Sequence, residues 1–229
     1  MYDEMTTLFG YGHPAARVWV VGLEEHCGND EEVQLRIDAR LADQRPFLDR
    51  VQFHEEIEVD PGEVHVWSNA RKIYLGLFGN DTDVGREDPN ISDVLLAELL
   101  PLPRPQHSHR HWPAPYQGYF ANVPSYKAAA IPVMSERLFA MVREHTPPLV
   151  ILHGKAGHRS WIRSHPVLRE GWIEECLDRT PKGRRVLVRL RRDGPTTWVL
   201  CDNLTNNGYI NWTAGRIDSL VTKIQNIDA

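Results

Sequence analysis

Carboxylates, amides and imidazoles gather in this sequence where apolar runs stop. The first run, Arg17-Val18-Trp19-Val20-Val21-Gly22, ends on a glycine and leads at once into Leu23-Glu24-Glu25-His26. A carboxylate held at a strand end can act as a general base on water, or its charge can stabilise a developing cation. The competing reading makes Glu24 and Glu25 the N-terminal acids of a following helix, facing the positive end of its dipole. Asn122 closes the run Tyr119-Phe120-Ala121; its amide offers a base edge both a donor and an acceptor, or it serves a turn. Two further polar sets, His153-Gly154-Lys155 and Asp202-Asn203-Leu204-Thr205, follow later apolar runs.

Other chemistries lack their spacing. Gly154-Lys155 is not a P-loop, because Val150 stands where the first glycine belongs and Ala156 follows the lysine. His54-Glu55-Glu56 is not HExxH, and no GxSxG nucleophile elbow occurs. His107, His109 and His111 alternate and could all face one metal ion if extended. Their segment has no carboxylate partner and is rich in proline and arginine, which favours a solvated or phosphate-contacting stretch. We therefore expect no metal and no cofactor.

The elements that must position these residues follow from periodicity. Residues 17 to 22 form a short, wholly apolar strand, and Val33, Leu35, Ile37 and Leu41 mark a helix after it. Helical patterns also cover residues 47 to 57, 64 to 78 (ending at Gly79), 91 to 100, 135 to 145 and 214 to 227. Strands are expected at 119 to 123, 148 to 152, 184 to 190 and 197 to 200, the last two around a turn at Asp193-Gly194. Residues 100 to 116 carry five prolines and three histidines and are expected as an extended surface loop. Strands alternating with helices imply parallel pairing with crossover connections. The expected fold is α/β: a three-layer α/β/α sandwich with a central, mostly parallel four-stranded sheet. It forms one domain over residues 1 to 229, with about 80 to 118 as a loop-rich insertion. In such sheets ligands sit at the carboxyl ends of the strands, where these polar sets fall.

Composition bounds the partners. The 229 residues are 41% hydrophobic and 25% charged, an ordinary globular balance. No stretch approaches the roughly 18 apolar residues of a membrane span, and the acidic start Met1-Tyr2-Asp3-Glu4-Met5 is unlike a signal peptide. Cys27, Cys176 and Cys201 include no CxxC pair, so a disulfide framework is not expected. These features point to the cytoplasm and to no membrane or obligate protein partner. The net charge of −5 hides an asymmetry: residues 1 to 100 hold 8 Lys and Arg against 21 Asp and Glu, the remainder 18 against 10. A basic second half can hold a polyanion although the whole chain is acidic. Unevenness without function is the alternative.

Taken in order, these pieces resemble the uracil-DNA glycosylase superfamily, as a divergent branch. Val20-Val21-Gly22-Leu23-Glu24-Glu25-His26-Cys27 resembles its first motif, with Glu24 at the position that is Asp or Asn in the best-known branches. Tyr119-Phe120-Ala121-Asn122-Val123 resembles the strand whose terminal asparagine bonds the flipped pyrimidine, and Leu149-Val150-Ile151-Leu152-His153-Gly154 the next strand. Val199-Leu200-Cys201-Asp202-Asn203-Leu204-Thr205-Asn206-Asn207 resembles the family's histidine-led leaving-group and intercalation loop, with Asn203, or Asp202 by a one-residue shift, in the histidine's place. The resemblance runs over about residues 16 to 225. Phe47 is the nearest candidate for the aromatic that stacks on the base, and the missing four-cysteine set separates the chain from the iron–sulfur branches.

The resemblance implies a DNA glycosylase. Glu24, or its neighbour Glu25, would stabilise the oxocarbenium-like sugar and align water. Gly22, Leu23, His26, Phe47 and Asn122 would surround the flipped base, and Asn203 or His26 would donate to it as it leaves. Leu204, with Thr205 and Asn206, would fill the vacated stack. Arg104, His109, Arg110, Lys155 and Arg159 would hold phosphates. No lysine stands beside the proposed anomeric position, so an abasic site without strand cleavage is expected. The expected base is a modified, 5-substituted cytosine of the kind found in phage DNA, in a nucleoid-acting defence enzyme. Uracil excision in base-excision repair, a DNA-binding module of the same fold without catalysis, and a histidine-loop metal hydrolase are the alternatives.

Overall fold

The computed structural model describes residues 7–48, 65–79, 94–105, 112–154, 158, 162, 168–202, 204 and 212–227. Its elements run β1 (Gly10–Tyr11), β2 (Val18–Cys27), α1 (Asp30–Ala42), β3 (Phe47–Leu48), α2 (His65–Phe78), β4 (Val94–Pro105), a 3-10 turn (Ala114–Tyr116), α3 (Val123–His145) and β5 (Leu149–His153), then β6 (Ile173–Arg179), β7 (Arg185–Asp193), β8 (Thr196–Cys201) and α4 (Ala214–Gln225). The fold is mixed α/β. Among the described residues its sheet has eight strands where four were expected, in the order β3-β1-β4-β2-β5-β8-β7-β6. Four central neighbours, β4, β2, β5 and β8, run parallel; β7 and β6 continue the sheet antiparallel. At the far end β1 is antiparallel to β4 and parallel to β3.

The parallel quartet is buried on both faces, which is why its strands read as continuous apolar runs. Val18, Val20, Ile151 and Val199 pack with Ile73 of α2 and Leu220 of α4. The alternate residues Trp19, Val21, Val150, Leu152 and Trp198 pack with Met134, Leu138 and Val142 of α3. A third cluster joins Val33 and Ile37 of α1 to Leu100 and Leu102 of β4, with Tyr116 and Tyr126. No helix among the described residues is long and apolar enough to cross a membrane.

β4 is the main correction. Residues 91 to 100 were expected as a helix and 100 to 116 as a loop, yet residues 94–105 form one 12-residue strand. Leu, Ala and Glu favour helices, but pairing along β2 overrides that preference. Among the described residues, beyond its two pairs with β1 at Leu96 and Ala97, β4 has a neighbouring strand on one side only, where proline is tolerated. Side chains complete that free edge. Arg40 donates to the Pro101 carbonyl, the Tyr126 hydroxyl accepts from Leu102 N (2.9 Å), and the Tyr116 hydroxyl donates to Pro103 O (2.9 Å).

Three smaller corrections follow. Residues 119 to 123 are not a strand: Tyr119 lies in a turn and Asn122 caps α3, which begins at Val123 and continues through Pro132 to His145. The described start of residues 47 to 57 is the short strand β3, not a helix. β6 was not foreseen at all. The hairpin at Asp193-Gly194 is as expected, with Gly194 at φ +56°.

Candidate functional site

The chain leaves β2, crosses to β4 on one side, and then crosses back to β5 on the other. In open α/β sheets such a reversal marks the ligand-binding position, which here falls outside the carboxyl ends of β2 and β5. β2 pairs with β5 only as far as Val21↔Leu152, but it continues along β4 to Cys27. Gly154 turns the chain away from β5 at φ +86°.

At this level the quartet presents one row of residues. Gly22 is opposite Glu98, Val21↔Leu152 puts Gly22 beside His153, and His153 is opposite Cys201. Neighbouring strands lie about 4.8 Å apart, and alternation puts all four residues on the face of Val20, Ile151 and Val199. Gly22 supplies the gap in the row. A Cβ there would overlap the Glu98 carboxylate, so that carboxylate lies over Gly22, on the side toward His153. Glu98 and His153 are half-buried, Cys201 is fully buried, and the buried Asn69 of α2 donates to Leu204 O at 2.7 Å. The arrangement brings a carboxylate and an imidazole to one strand end, which is the equipment for binding an amine or moving a proton. Among the described residues, no three His, Cys, Asp or Glu side chains converge to hold a metal ion.

His158 fastens this strand end. It is fully buried, its Nε2 is 2.9 Å from His153 O, and it also hydrogen-bonds the Val21 backbone. Burial lowers its pKa to about 4, against the two backbone bonds, so it is neutral at pH 7. Its contribution to stability is fully present above pH 6.5 and drains away as pH falls toward 4, by about 3 kcal/mol. Urea unfolding at pH 7.5 and pH 4 should show the wild type losing about that much more stability than His158→Gln; equal losses would mean that His158 does not titrate in the fold.

The structure redistributes the residues expected from sequence. Glu24, Glu25 and His26 lie within β2, with Glu24 opposite Leu100 and His26 opposite Arg104 across a bulge. They are not the first turn of a helix, since α1 starts at Asp30 with Asn29 as its cap. Gly22 belongs to the row, and Leu23 packs against the apolar clusters of α1 and α3. Asn122 is exposed, and its Oδ1 accepts from Ser125 N at 3.0 Å in a reciprocal capping box. Phe47 is not near the row. Its ring packs on Phe9 (5.8 Å) and His145 (6.3 Å), toward the opposite end of the sheet, where Trp19 also meets His145.

Arg104 was expected on a surface loop for phosphates; it is 5% exposed within β4. Leu204 was expected as an exposed wedge; it is fully buried in the α2–α4 core. His109, Arg110, Lys155, Arg159, Asn203, Thr205 and Asn206 lie outside the described residues. Glu98, Cys201, Asn69 and His158 were not singled out from sequence, and His153 was noted only as a strand end. The available signal was the apolar run around Glu98, which holds one acid among leucines. No protein-family model matches the chain, and no curated protein matches it.

Proposed function

We propose that the protein is a monofunctional DNA glycosylase that flips out a modified pyrimidine, a 5-substituted cytosine, and hydrolyses its glycosidic bond. The observation that carries this reading is the Glu98 carboxylate lying over Gly22 at the crevice end of the parallel strands. On this reading the quartet β4-β2-β5-β8 is the four-stranded core of a three-layer glycosylase fold, and β1, β3, β6 and β7 are additions.

Excision needs negative charge beside the sugar and hydrogen-bonding groups around the base. Glu24, two positions beyond Gly22, supplies the charge and aligns water. Asn122 is occupied as a helix cap, so base reading passes to Glu98. An ionised carboxylate only accepts, so it takes the 4-amino group of a cytosine-type base and opposes the O4 carbonyl of uracil. His153, next in the row, keeps that carboxylate oriented. No Phe, Tyr or Trp stands in Gly22-Leu23-Glu24-Glu25-His26 to close on the 5-position, which leaves room for a substituent. Asn203 or His26 donates to the departing base. With no lysine in this set, the product is an abasic site, and excision of phage-type bases makes the protein a defence enzyme.

Glu98→Gln tests the assignment, because an amide presents a donor as well as an acceptor. The ratio of single-turnover rates on cytosine-type and uracil substrates should move about 10- to 100-fold toward uracil. A variant with an unchanged ratio would remove Glu98 from base recognition.

A further inference from the structure

Between β5 and β8 the chain inserts the hairpin β6–β7, whose residues 179–192 hold seven Lys and Arg and no Asp or Glu. The acids that flank this run are taken up within the fold. Glu174 pairs with Arg189 (3.3 Å), Glu175 with Lys223 (2.7 Å) and Asp178 with Arg216 (3.1 Å). At the tip, Arg179, Lys182, Arg184 and Arg185 are exposed. Among the described residues none of these four forms an ion pair with a carboxylate.

The tip is a closed turn, not a loose loop. Thr180 and Arg184 bond through their backbones at 2.8 Å, Gly183 N donates to Thr180 O at 2.8 Å, and Gly183 sits at φ +76°. Arg184 N also donates to Thr180 Oγ1 (3.1 Å), and Arg179 Nη1 donates to Gly183 O (3.1 Å). Four cations are thereby fixed on one short ribbon end.

Strand direction places that end. β7 runs antiparallel to β8, with Asp193 opposite Thr196 and Arg189 opposite Leu200, so its beginning points the same way as the carboxyl ends of the quartet. Arg185 lies four residues beyond the Leu200 pairing, about 13 Å at roughly 3.3 Å per residue. The cationic tip therefore stands past the level of the Glu98–Gly22–His153–Cys201 row, on the crevice side of the sheet.

We infer that the β6–β7 hairpin is a phosphate-binding arm that grips the backbone of the nucleic acid engaged by the crevice. The inference rests on the proposed action on DNA for its partner and on the hairpin's own charge and direction for its place. It accounts for the basic second half of the chain with residues other than the buried Arg104. The arm carries no sequence information, since phosphate contacts position a protein and base contacts specify.

The test is the salt dependence of binding to an unmodified 20-base-pair duplex, read by fluorescence anisotropy between 50 and 300 mM salt. Each phosphate neutralised adds about 0.9 to the slope of log K against log salt. Changing Arg179, Lys182, Arg184 and Arg185 together to Gln should reduce that slope by about 3.6 and weaken binding at least tenfold at 100 mM. A second variant that keeps Arg179, and with it the bond to Gly183 O, should lose about 2.7 in slope. Thermal melting of both confirms the fold. At saturating protein, single-turnover excision should stay within about threefold of wild type. An unchanged slope in both folded variants overturns the arm, as does capture by phosphatidylserine vesicles through these four residues with duplex binding unaffected. If the wild type excises no base but the slope still falls, the glycosylase reading fails and the arm stands; excision with an unchanged slope is the converse.

Discussion

Gly22→Ala is expected to lower excision by about two orders of magnitude while leaving DNA affinity within a few-fold. Gly22 has ordinary strand pairing with Glu98, and its φ is not in the left-handed region, so the glycine is there for space and not for conformation. An added Cβ must displace the Glu98 carboxylate, and a misplacement of about 1 Å at a reacting site costs on the order of 100-fold. The atoms met by that Cβ are the far end of the Glu98 side chain, which can swing aside, so the cost to stability is small. The double variant Gly22→Ala, Glu98→Ala should be as inactive as Gly22→Ala and equally well folded, which places the loss in the carboxylate and not in the fold. Urea unfolding with single-turnover kinetics reads both; full activity in Gly22→Ala would show that the carboxylate's position over Gly22 is immaterial.

The larger effect is expected at Glu24. Glu24→Gln should reduce the single-turnover rate about 1,000-fold, because an amide keeps the shape but loses the charge proposed to stabilise the oxocarbenium-like sugar. The duplex Kd should change less than threefold, since that charge matters only as the bond breaks. Glu25→Gln made in parallel assigns the role: the neighbour that can be replaced without a rate effect is not the sugar's carboxylate. A matching loss of affinity and rate in Glu24→Gln would instead mean that Glu24 holds substrate and does not act on the transition state.

Local pattern sufficed where one element buries a periodic face. The runs leading to Gly22 and His153, the helices near residues 33 to 41 and 65 to 78, and the Asp193-Gly194 hairpin were legible because apolar spacing, glycine and β-branched residues all agreed. β4 was not legible, because Leu, Ala and Glu favour a helix locally and only β2, some 70 residues earlier in the chain, makes them a strand. The same distance hid the site. Glu98 has no local mark of function, and it matters only because register sets it against a residue without a side chain. Asn122 misled in the opposite direction, as a short polar residue after an apolar run serves a helix start as readily as a strand end. Pro132 hid the first turns of α3, which tolerate it at an exposed position.

The most direct measurement is excision itself. The purified protein, with and without EDTA, is incubated with DNAs carrying uracil, a thymine mismatch, hydroxymethylcytosine or glucosylated hydroxymethylcytosine, and abasic sites are revealed with hot alkali. Strand breaks are expected at one of the 5-substituted cytosines, undiminished by EDTA, and none before alkali. Breaks only at uracil would contradict the assignment of the base, and no breaks anywhere, with salt-sensitive DNA binding intact, would contradict the glycosylase itself.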